Sequence, residues 1–142
     1  MKLHDFARAR AVTCGPGARI SEVATEMARY NVGSVIVVDG ATPVGIVTDR
    51  DIVVRATAKG LDHATPVAEI MTAGVTALDG ELDLVDAAAR MADCGCRRMP
   101  VIDGHGSLEG VVSLDDLLLV FTQHTDQLAR AVASETTSPL PL

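Results

Sequence analysis

Two stretches of this chain place a hydroxyl side chain three residues ahead of a carboxylate. Residues 45–51 read Gly-Ile-Val-Thr-Asp-Arg-Asp and residues 110–116 read Gly-Val-Val-Ser-Leu-Asp-Asp. In both, β-branched residues precede the hydroxyl and apolar residues follow the carboxylate, which is typical of a buried strand that turns into a helix. The free N–H groups and positive dipole end of such a helix suit an anion such as phosphate.

The same pairs of residues have a purely structural interpretation. A hydroxyl at the N-cap and a carboxylate at the third helical position can each accept a hydrogen bond from a free backbone N–H, an arrangement called a capping box. Thr48 with Asp51, and Ser113 with Asp116, have this spacing. Both interpretations stay open, and they are partly compatible because an N-cap can shift when a ligand binds.

These stretches belong to a longer internal repeat. The matching pairs are Val12-Thr13 with Val75-Thr76, Met27 with Met91, and Gly45 with Gly110. Their separations drift from 63 to 65 residues, which predicts two single-residue insertions in the second copy, near Asp83 and within residues 104–107. A unit of ~60 residues buries too little surface to be stable alone, so we expect the two copies to pack on each other.

Hydrophobic periodicity predicts the order β-α-β-β-α in each copy, and hence an α/β (α+β) fold. In the first copy we predict a helical turn at 5–8, a strand at 12–13, a helix at 20–30, a hairpin of strands 34–38 and 44–47, and a helix from Thr48 to about Lys59. In the second we predict a short helix at 67–71, a strand at 75–76, a helix at 82–93, a hairpin of strands 98–102 and 108–112, and a long helix from Ser113.

The apolar faces of two helices can be predicted from their spacing. The helix at 82–93 is expected to bury Leu82, Val85, Ala88, Ala89 and Ala92. The long helix has an apolar stripe made of Leu114, Leu117, Leu118, Phe121, Leu128, Ala131 and Val132. The predicted division of the chain is a first repeat at 1–60, a linker at 61–66, a second repeat at 67–122, and a helix extension with a frayed tail at 123–142.

Composition excludes several classes of function. The chain has 142 residues, of which 48% are apolar and 22% are charged, so it is globular with an aliphatic core. Its net charge of −7 and its lack of a basic stretch argue against nucleic acid and anionic membrane as partners. No run approaches the ~20 apolar residues of a membrane span, and the N-terminus lacks the apolar core of a signal peptide. We therefore expect a soluble, cytoplasmic protein.

The three cysteines, Cys14, Cys94 and Cys96, do not make a disulfide framework, because their number is odd. We interpret them as small, buried or half-buried thiols. Cys94 and Cys96 leave open a redox or metal role, although no Cys/His pair with the usual spacing accompanies them. No motif pairs a nucleophile with a base, so we expect neither an enzyme nor a metal site.

The duplicated pattern resembles the cystathionine-β-synthase (CBS) domain family over roughly residues 1–122. The resemblance is carried by residues 45–51 and 110–116, by Val67-Ala68-Glu69-Ile70-Met71-Thr72, and by Arg97-Arg98-Met99-Pro100-Val101-Ile102-Asp103. It implies a tandem pair of repeats related by pseudo-two-fold symmetry, called a Bateman module. Such modules bind adenosine-containing ligands in clefts between the repeats, usually act as sensors, and usually form homodimers.

The resemblance also implies roles for individual residues. Thr48 and Ser113 would contact phosphate, while Asp51 and Asp116 would accept both hydroxyls of a ribose, which two carboxylate oxygens can do. Arg97, Arg98 and Arg50 would neutralise phosphate charge. The adenine slot would be formed by the first strand of each copy and its neighbours, although plain core packing is an alternative for the apolar ones: Val12, Thr13, Cys14, Ser34 and Val35 in the first copy, and Val75, Thr76, Ala77, Met99 and Pro100 in the second.

The two predicted sites are unequal. Gly33 and Ser34 stand where the second copy has Arg97 and Arg98, but Arg50 offsets Asp49 in the first copy. We expect the site of Thr48 and Asp51 to bind more tightly, with Arg97 or Arg98 extending across from the second copy. The expected ligand is AMP, ADP, ATP or S-adenosylmethionine, and no cofactor is required. The module would regulate an unidentified protein in trans; the alternative is a dimeric interaction scaffold whose nucleotide sites are vestigial.

Overall fold

The computed structural model describes residues 1–7 and 11–137, which form two β-sheets with helices packed on them. The elements from the first half of the chain are α1 (Leu3–Ala7), β1 (Thr13–Cys14), α2 (Ile20–Tyr30), β2 (Ser34–Asp39), β3 (Thr42–Thr48) and α3 (Asp49–Asp51), which continues as a π-helix (Ile52–Thr57). From the second half come a 3-10 turn (Val67–Glu69), β4 (Thr72–Ala73), β5 (Leu78–Asp79), α4 (Leu84–Cys94), β6 (Arg98–Ile102), β7 (Leu108–Ser113) and α5 (Leu114–Thr137).

Each sheet has a parallel pair followed by a hairpin. The first has the order β1-β2-β3-β4 and the second β5-β6-β7. Strand β1 runs parallel to β2, and β5 runs parallel to β6. The predicted mixed fold with two repeats is therefore confirmed. Within the described residues, no helix is both long enough and apolar enough to cross a bilayer.

A pseudo-two-fold relation is visible in paired hydrogen bonds. The amide of Leu3 donates to the carbonyl of Leu82 at 2.9 Å, and the amide of Val67 donates to the carbonyl of Ala18 at 2.7 Å. Both members of the first bond lie 64 positions from their counterparts in the second. The bond from His4 to Gly80 and the bond from Ala68 to Pro16 have the same relation. The first segment of each repeat thus docks on the opposite repeat in the same way.

This docking exchanges segments between the two hydrophobic cores. Leu3 and Ala7 are buried in the second core, against α4 and the β6–β7 hairpin. Val67 and Ile70, at the start of the second repeat, are buried in the first core. Each repeat therefore lacks part of its core unless the other half of the chain supplies it.

The structure corrects the predicted strand at Val75-Thr76. The strand is Leu78–Asp79, because Leu78 is the buried residue that pairs with Val101 of β6. The equivalent pair in the first sheet is Cys14 with Val37, so the copies stay 64 residues apart from β1 to β2. Only the hairpin adds a residue, since Val37 pairs with Gly45 and Val101 pairs with Gly110. The insertion predicted near Asp83 is therefore wrong, and the one within residues 104–107 is consistent with the pairing.

The predicted face of α4 is partly wrong, because Leu82 and Ala88 do pack, half-buried, against the second core, but Val85, Ala89 and Ala92 are exposed. The carboxylate of Asp83 caps the helix by accepting from the amides of Val85 and Asp86, so the helix begins at Leu84. Its buried residues are Leu84, Ala87 and Met91, whereas Val85 is 65% exposed. An Ala-rich helix offers two apolar faces at helical spacing, and the face predicted from periodicity is rotated from the buried one, so that it overlaps the core only in part.

Other predicted helices are confirmed with altered bounds. Helix α2 has the predicted bounds and ends at Asn31, which is left-handed. The helix after Thr48 is partly π-helical and stops before Gly60, and the short helices begin at Leu3 and Val67. Arg8, at the end of the first predicted turn, and the tail at 138–142 lie outside the described residues. In α5 the residues buried in the core are Leu117 and Val120, while Leu118 is 64% exposed.

The glycine that opens each repeated stretch is required by a close crossing of the chain. A Cβ on Gly110 would collide with the backbone of Ala7, at the end of α1. A Cβ on Gly45 would lie 3.0 Å from the carbonyl oxygen of Thr72 and against the side chain of Met71. Ala7 and Met71 are equivalent residues of the two exchanged segments, so both glycines leave room for the exchange.

We expect Gly110→Ala to destabilise the protein by about 1–3 kcal/mol, because the added methyl group displaces backbone and not a flexible side chain. Gly104→Ala is the matched control: its Cβ would meet no atom within 4 Å, and the substitution should be neutral or stabilising by up to about 1 kcal/mol. Urea unfolding of both variants measures the difference. Equal free energies of unfolding in the two variants would contradict the crossing.

Candidate functional site

The two predicted junctions form capping boxes. At the first, the amide of Thr48 donates to Asp51 Oδ2 at 2.9 Å and the amide of Asp51 donates to Thr48 Oγ1 at 3.1 Å. At the second, the amide of Ser113 donates to Asp116 Oδ2 at 3.2 Å and the amide of Asp116 donates to Ser113 Oγ at 3.1 Å. Both motifs therefore form the capping boxes that the structural interpretation predicts. The roles in contacting phosphate and ribose stay predictions.

The sheet register brings several predicted site residues to one edge of each sheet. Ser34 at the start of β2 pairs with Thr48 at the end of β3, and the amide of Ile36 donates to the carbonyl of Val12 at 2.9 Å. In the second sheet Arg98 pairs with Ser113. The starts of the parallel strands and the helix-capping hydroxyls thus share an edge, as a common ligand site requires.

Surface clefts lie at these same edges. The first cleft has a volume of about 700 Å³ and is lined by Ala11, Val12, Thr13, Glu26, Tyr30, Asn31 and Val32. The second has a volume of about 550 Å³ and is lined by Thr76, Ala77, Leu78, Asp79, Leu82, Arg90, Asp93, Cys94 and Met99. Four positions of the two clefts are equivalent at a separation of 64 residues. The capping residues are not among the described lining residues of either cleft. Each cleft is connected to its junction through the sheet, because the lining residues Thr13 and Leu78 belong to the strands that pair with β2 and β6.

The remaining adenine-slot residues differ in exposure. Val35 and Met99 are each 1% exposed and belong to the first and the second hydrophobic core, and Met99 also lines the second cleft. Pro100 is buried in the middle of β6, and Val75 is half-buried outside any strand. Cys14 packs against the first core, and burial raises the pKa of its thiol to about 11. That thiol stays protonated at neutral pH.

The arginines take different positions. Arg97 pairs with Asp115 at 3.5 Å within the second repeat, where both side chains are largely exposed. Arg98 extends toward the first repeat: a Cβ on Gly33 would lie 3.5 Å from Arg98 Nη2 and 3.4 Å from Asp49 Oδ2. These two charged groups are therefore within about 7 Å of each other. Arg50 is exposed beside the first junction. Of the two arginines named for this role, Arg98 is the one that lies across the repeats.

Arg55 is a functional candidate that the sequence analysis did not single out. Its Nε lies 3.7 Å from Asp51 Oδ1, and its Nη1 donates to the carbonyl of Ile70 at 2.9 Å and to Thr72 Oγ1 at 3.2 Å. It thus joins the first junction to the exchanged segment. The i,i+4 spacing of Asp51 and Arg55 on a predicted helix was the signal that could have found it. The second repeat has the buried Val120 at the equivalent position.

A family model for the CBS domain matches residues 3–56 and again residues 67–122. The chain belongs to the CBS domain family. It is 38% identical over 113 residues to the CBS domain-containing protein YhcV of Bacillus subtilis, a match that covers 80% of each chain. The tandem CBS pair predicted from the repeated stretches is therefore confirmed.

Solved structures and an enzyme share this CBS pair. A CBS domain protein from Pyrobaculum aerophilum, solved in complex with AMP, has a TM-score of 0.75 and 28% identity, covering 87% of this chain and 99% of that one. Inosine-5'-monophosphate dehydrogenase of Aquifex aeolicus is 31% identical over 110 residues, which is 75% of this chain but 22% of the enzyme. The similarity to that enzyme is thus confined to a minor part of it.

Replacing Arg55 by methionine should lower the free energy of unfolding by about 1–2 kcal/mol, because two hydrogen bonds from a charged donor to the exchanged segment are lost. Arg50→Met is the matched control, since the Arg50 side chain is exposed on the same helix. We expect a change within about 0.5 kcal/mol for the control. Urea midpoints at an unchanged m-value report both, and an equal loss in the two variants would show that Arg55 does not hold the segment.

Proposed function

We propose that this CBS pair is a regulatory module that binds an adenine nucleotide at the edges of its two sheets. The observation that carries the proposal is the duplicated junction, in which a hydroxyl, a carboxylate and a helix N-terminus meet at the edge that also bears a cleft. The similarity to the AMP complex of the Pyrobaculum aerophilum protein supports AMP as the first ligand to test. The module acts by binding and not by catalysis.

In the proposed complex, the ribose hydroxyls replace backbone amides as donors to the junction carboxylate. Asp51 Oδ2 now accepts from the amide of Thr48 and Oδ1 faces Arg55, so a diol would compete for both oxygens. Thr48 Oγ1 and the helix N-terminus would turn to phosphate, with Arg98 and Arg50 as cations. Adenine would lie toward Val12, Thr13 and Ser34. In the second repeat Ser113, Asp116 and Arg97 would have the corresponding roles, beside Thr76 and Ala77.

Ligand binding at the first junction would affect the exchanged segment. When the ribose hydroxyls donate hydrogen bonds to Asp51, the interaction of that carboxylate with Arg55 weakens. Arg55 also holds Ile70 and Thr72, in the segment that completes the first core. Ligand binding would therefore shift the position or stability of this segment, which is the change that a partner protein regulated in trans would detect.

Titration calorimetry with AMP tests the ligand. We expect micromolar binding, and we expect Asp51→Asn to weaken it roughly 10–100-fold, because a charged acceptor is lost while the side-chain oxygen that caps the helix is kept. Asp116→Asn should weaken it less, because Arg98 lies by the first repeat. Asp39→Asn, at the end of β2, is the matched control and should leave affinity unchanged.

The same titrations separate the rival interpretations. An absence of heat with AMP, ADP, ATP and S-adenosylmethionine would overturn the ligand proposal and favour an interaction scaffold whose capping boxes are only structural. A larger loss in Asp116→Asn would overturn only the ranking of the two sites.

We further propose that the module is a homodimer held by its helices. Exposed apolar residues recur along α5 at heptad spacing, at Leu118, Leu128 and Val132, which are 64%, 68% and 63% exposed, and the last two lie beyond the family match. Val85 adds a 65% exposed side chain on α4. A stripe of this length marks an interface, and a two-fold pairing of identical faces is the symmetric way to cover it.

Sedimentation equilibrium at micromolar concentration tests the dimer. Truncation after Gln123, or the pair Leu128→Ser and Val132→Ser, should weaken or reorganise it without abolishing AMP binding. Gln123→Ser with Gln127→Ser, on the opposite face of the helix, is the matched control and should leave association unchanged. A single species at the 14.8 kDa monomer mass in the wild type would refute the dimer.

A further inference from the structure

Cys94 and Cys96 are joined by a disulfide bond that spans the end of α4. Gly95 between them is left-handed, with φ of 66°. Its amide donates to the carbonyl of Ala92 at 3.1 Å, and the amide of Cys96 donates to the carbonyl of Met91 at 3.0 Å. The bond therefore ties the last helical residue to the second residue after the helix. The interpretation of Cys94 and Cys96 as two separate thiols is corrected.

The disulfide lies at the second cleft. Cys94 lines that cleft together with Thr76, Ala77 and Met99. Cys96 packs against the second core and directly precedes Arg97 and Arg98. The bond thus restrains the short connection from which the cation of the second repeat and the cation that extends to the first repeat both project.

A role in stability does not account for this bond. It closes a loop between residues only two apart, so it removes little conformational entropy from the unfolded chain. The first repeat has Tyr30 and Val32 at the equivalent positions and makes the same helix end without a disulfide. Cys94 is an exposed residue that lines the second cleft, and its sulfur lies 3.9 Å from Sδ of the buried Met99. The cleft is the route by which thiols in solution would reach the bond.

We propose that Cys94 and Cys96 form a redox switch that sets the nucleotide affinity of the second cleft. In the oxidation, the Cys94 thiolate attacks a low-molecular-weight disulfide such as glutathione disulfide, forming a mixed disulfide and releasing one thiol. The Cys96 thiolate then attacks the Cys94 sulfur and releases the second thiol. Two electrons pass from the cysteines to glutathione disulfide, and the two protons end on the released thiols. Reduction by a thiol reverses both steps.

The direction of the effect follows from preorganisation. With the bond closed, the connection that carries Arg97 and Arg98 is ordered before ligand arrives. With it open, binding has to order that connection, so we expect reduction to weaken AMP binding at the second cleft roughly threefold to tenfold. The switch rests on the proposed nucleotide binding, and its test needs a measurement that does not depend on it.

The first measurement is AMP titration of protein oxidised with glutathione disulfide and of protein reduced with dithiothreitol, each in an Asp51→Asn background that leaves the second cleft as the main site. The double variant Cys94→Ser, Cys96→Ser should bind equally after both treatments. The Cys14→Ser variant should show the same ratio of AMP affinities between the oxidised and reduced states as the wild type, whatever the absolute affinity of the variant. The reason is that the raised pKa of the Cys14 thiol keeps this thiol out of exchange.

The second measurement is amide hydrogen exchange of Gly95 and Cys96 in both redox states, with no ligand present. Faster exchange after reduction supports the switch, and unchanged exchange overturns it. The switch is also overturned if glutathione buffers neither form nor reduce the disulfide bond. It is likewise overturned if the AMP affinities of the oxidised and reduced proteins agree within twofold. If wild-type protein binds AMP in neither state, nucleotide binding has failed, and hydrogen exchange alone then decides the switch.

Discussion

The structure depends on the reciprocal burial of two short amphipathic segments. Leu3 and Ala7 fill the second core, and Val67 and Ile70 fill the first. A single repeat of this size is marginal, and here each one also lacks core residues that only the other half of the chain can bring. The two repeats are therefore obliged to fold together, and the sheet edges between them keep a fixed relation. A ligand site shared by both repeats needs that fixed relation.

The exchange also explains the glycine at the head of each repeated stretch. The backbone of the exchanged segment crosses the third strand of each repeat at Gly45 or Gly110, where any side chain would collide. The same strand then ends in the capping hydroxyl a few residues later. One short stretch thus provides both the crossing that completes a core and the junction at which we propose a ligand site. This double role explains why the sequence pattern of the stretch is alike in the two copies.

Most of the fold could be predicted from the sequence, because each repeated element is indicated by the residue patterns of two copies and not of one. The hairpins and α2 follow from local pattern. The misplaced strand at Val75-Thr76 followed from matching similar residues, whereas the register is set by parallel pairing over a long sequence separation, which a local pattern cannot show. The prediction of the buried face of α4 was partly wrong because the hydrophobicity of an Ala-rich helix is similar on all its faces. Arg55 was missed because its partners Ile70 and Thr72 lie 15 and 17 positions away, in a segment whose exchange the sequence does not reveal.

The two copies differ chiefly where a ligand would be held. Their core positions are alike: Ile20 and Leu84, Val23 and Ala87, and Met27 and Met91 are equivalent and buried. Near the sheet edges the equivalent residues of the two copies are unlike. Gly33 of the first copy corresponds to Arg97 of the second, Arg55 to Val120, and Tyr30 to Cys94. Core packing constrains both copies to the same shapes, whereas the edges are free to diverge. One edge has joined its carboxylate to the exchanged segment through Arg55, and the other has acquired a disulfide. On the proposed function, the duplicated fold would hold two unequal sites, which would let one module respond to more than one chemical signal.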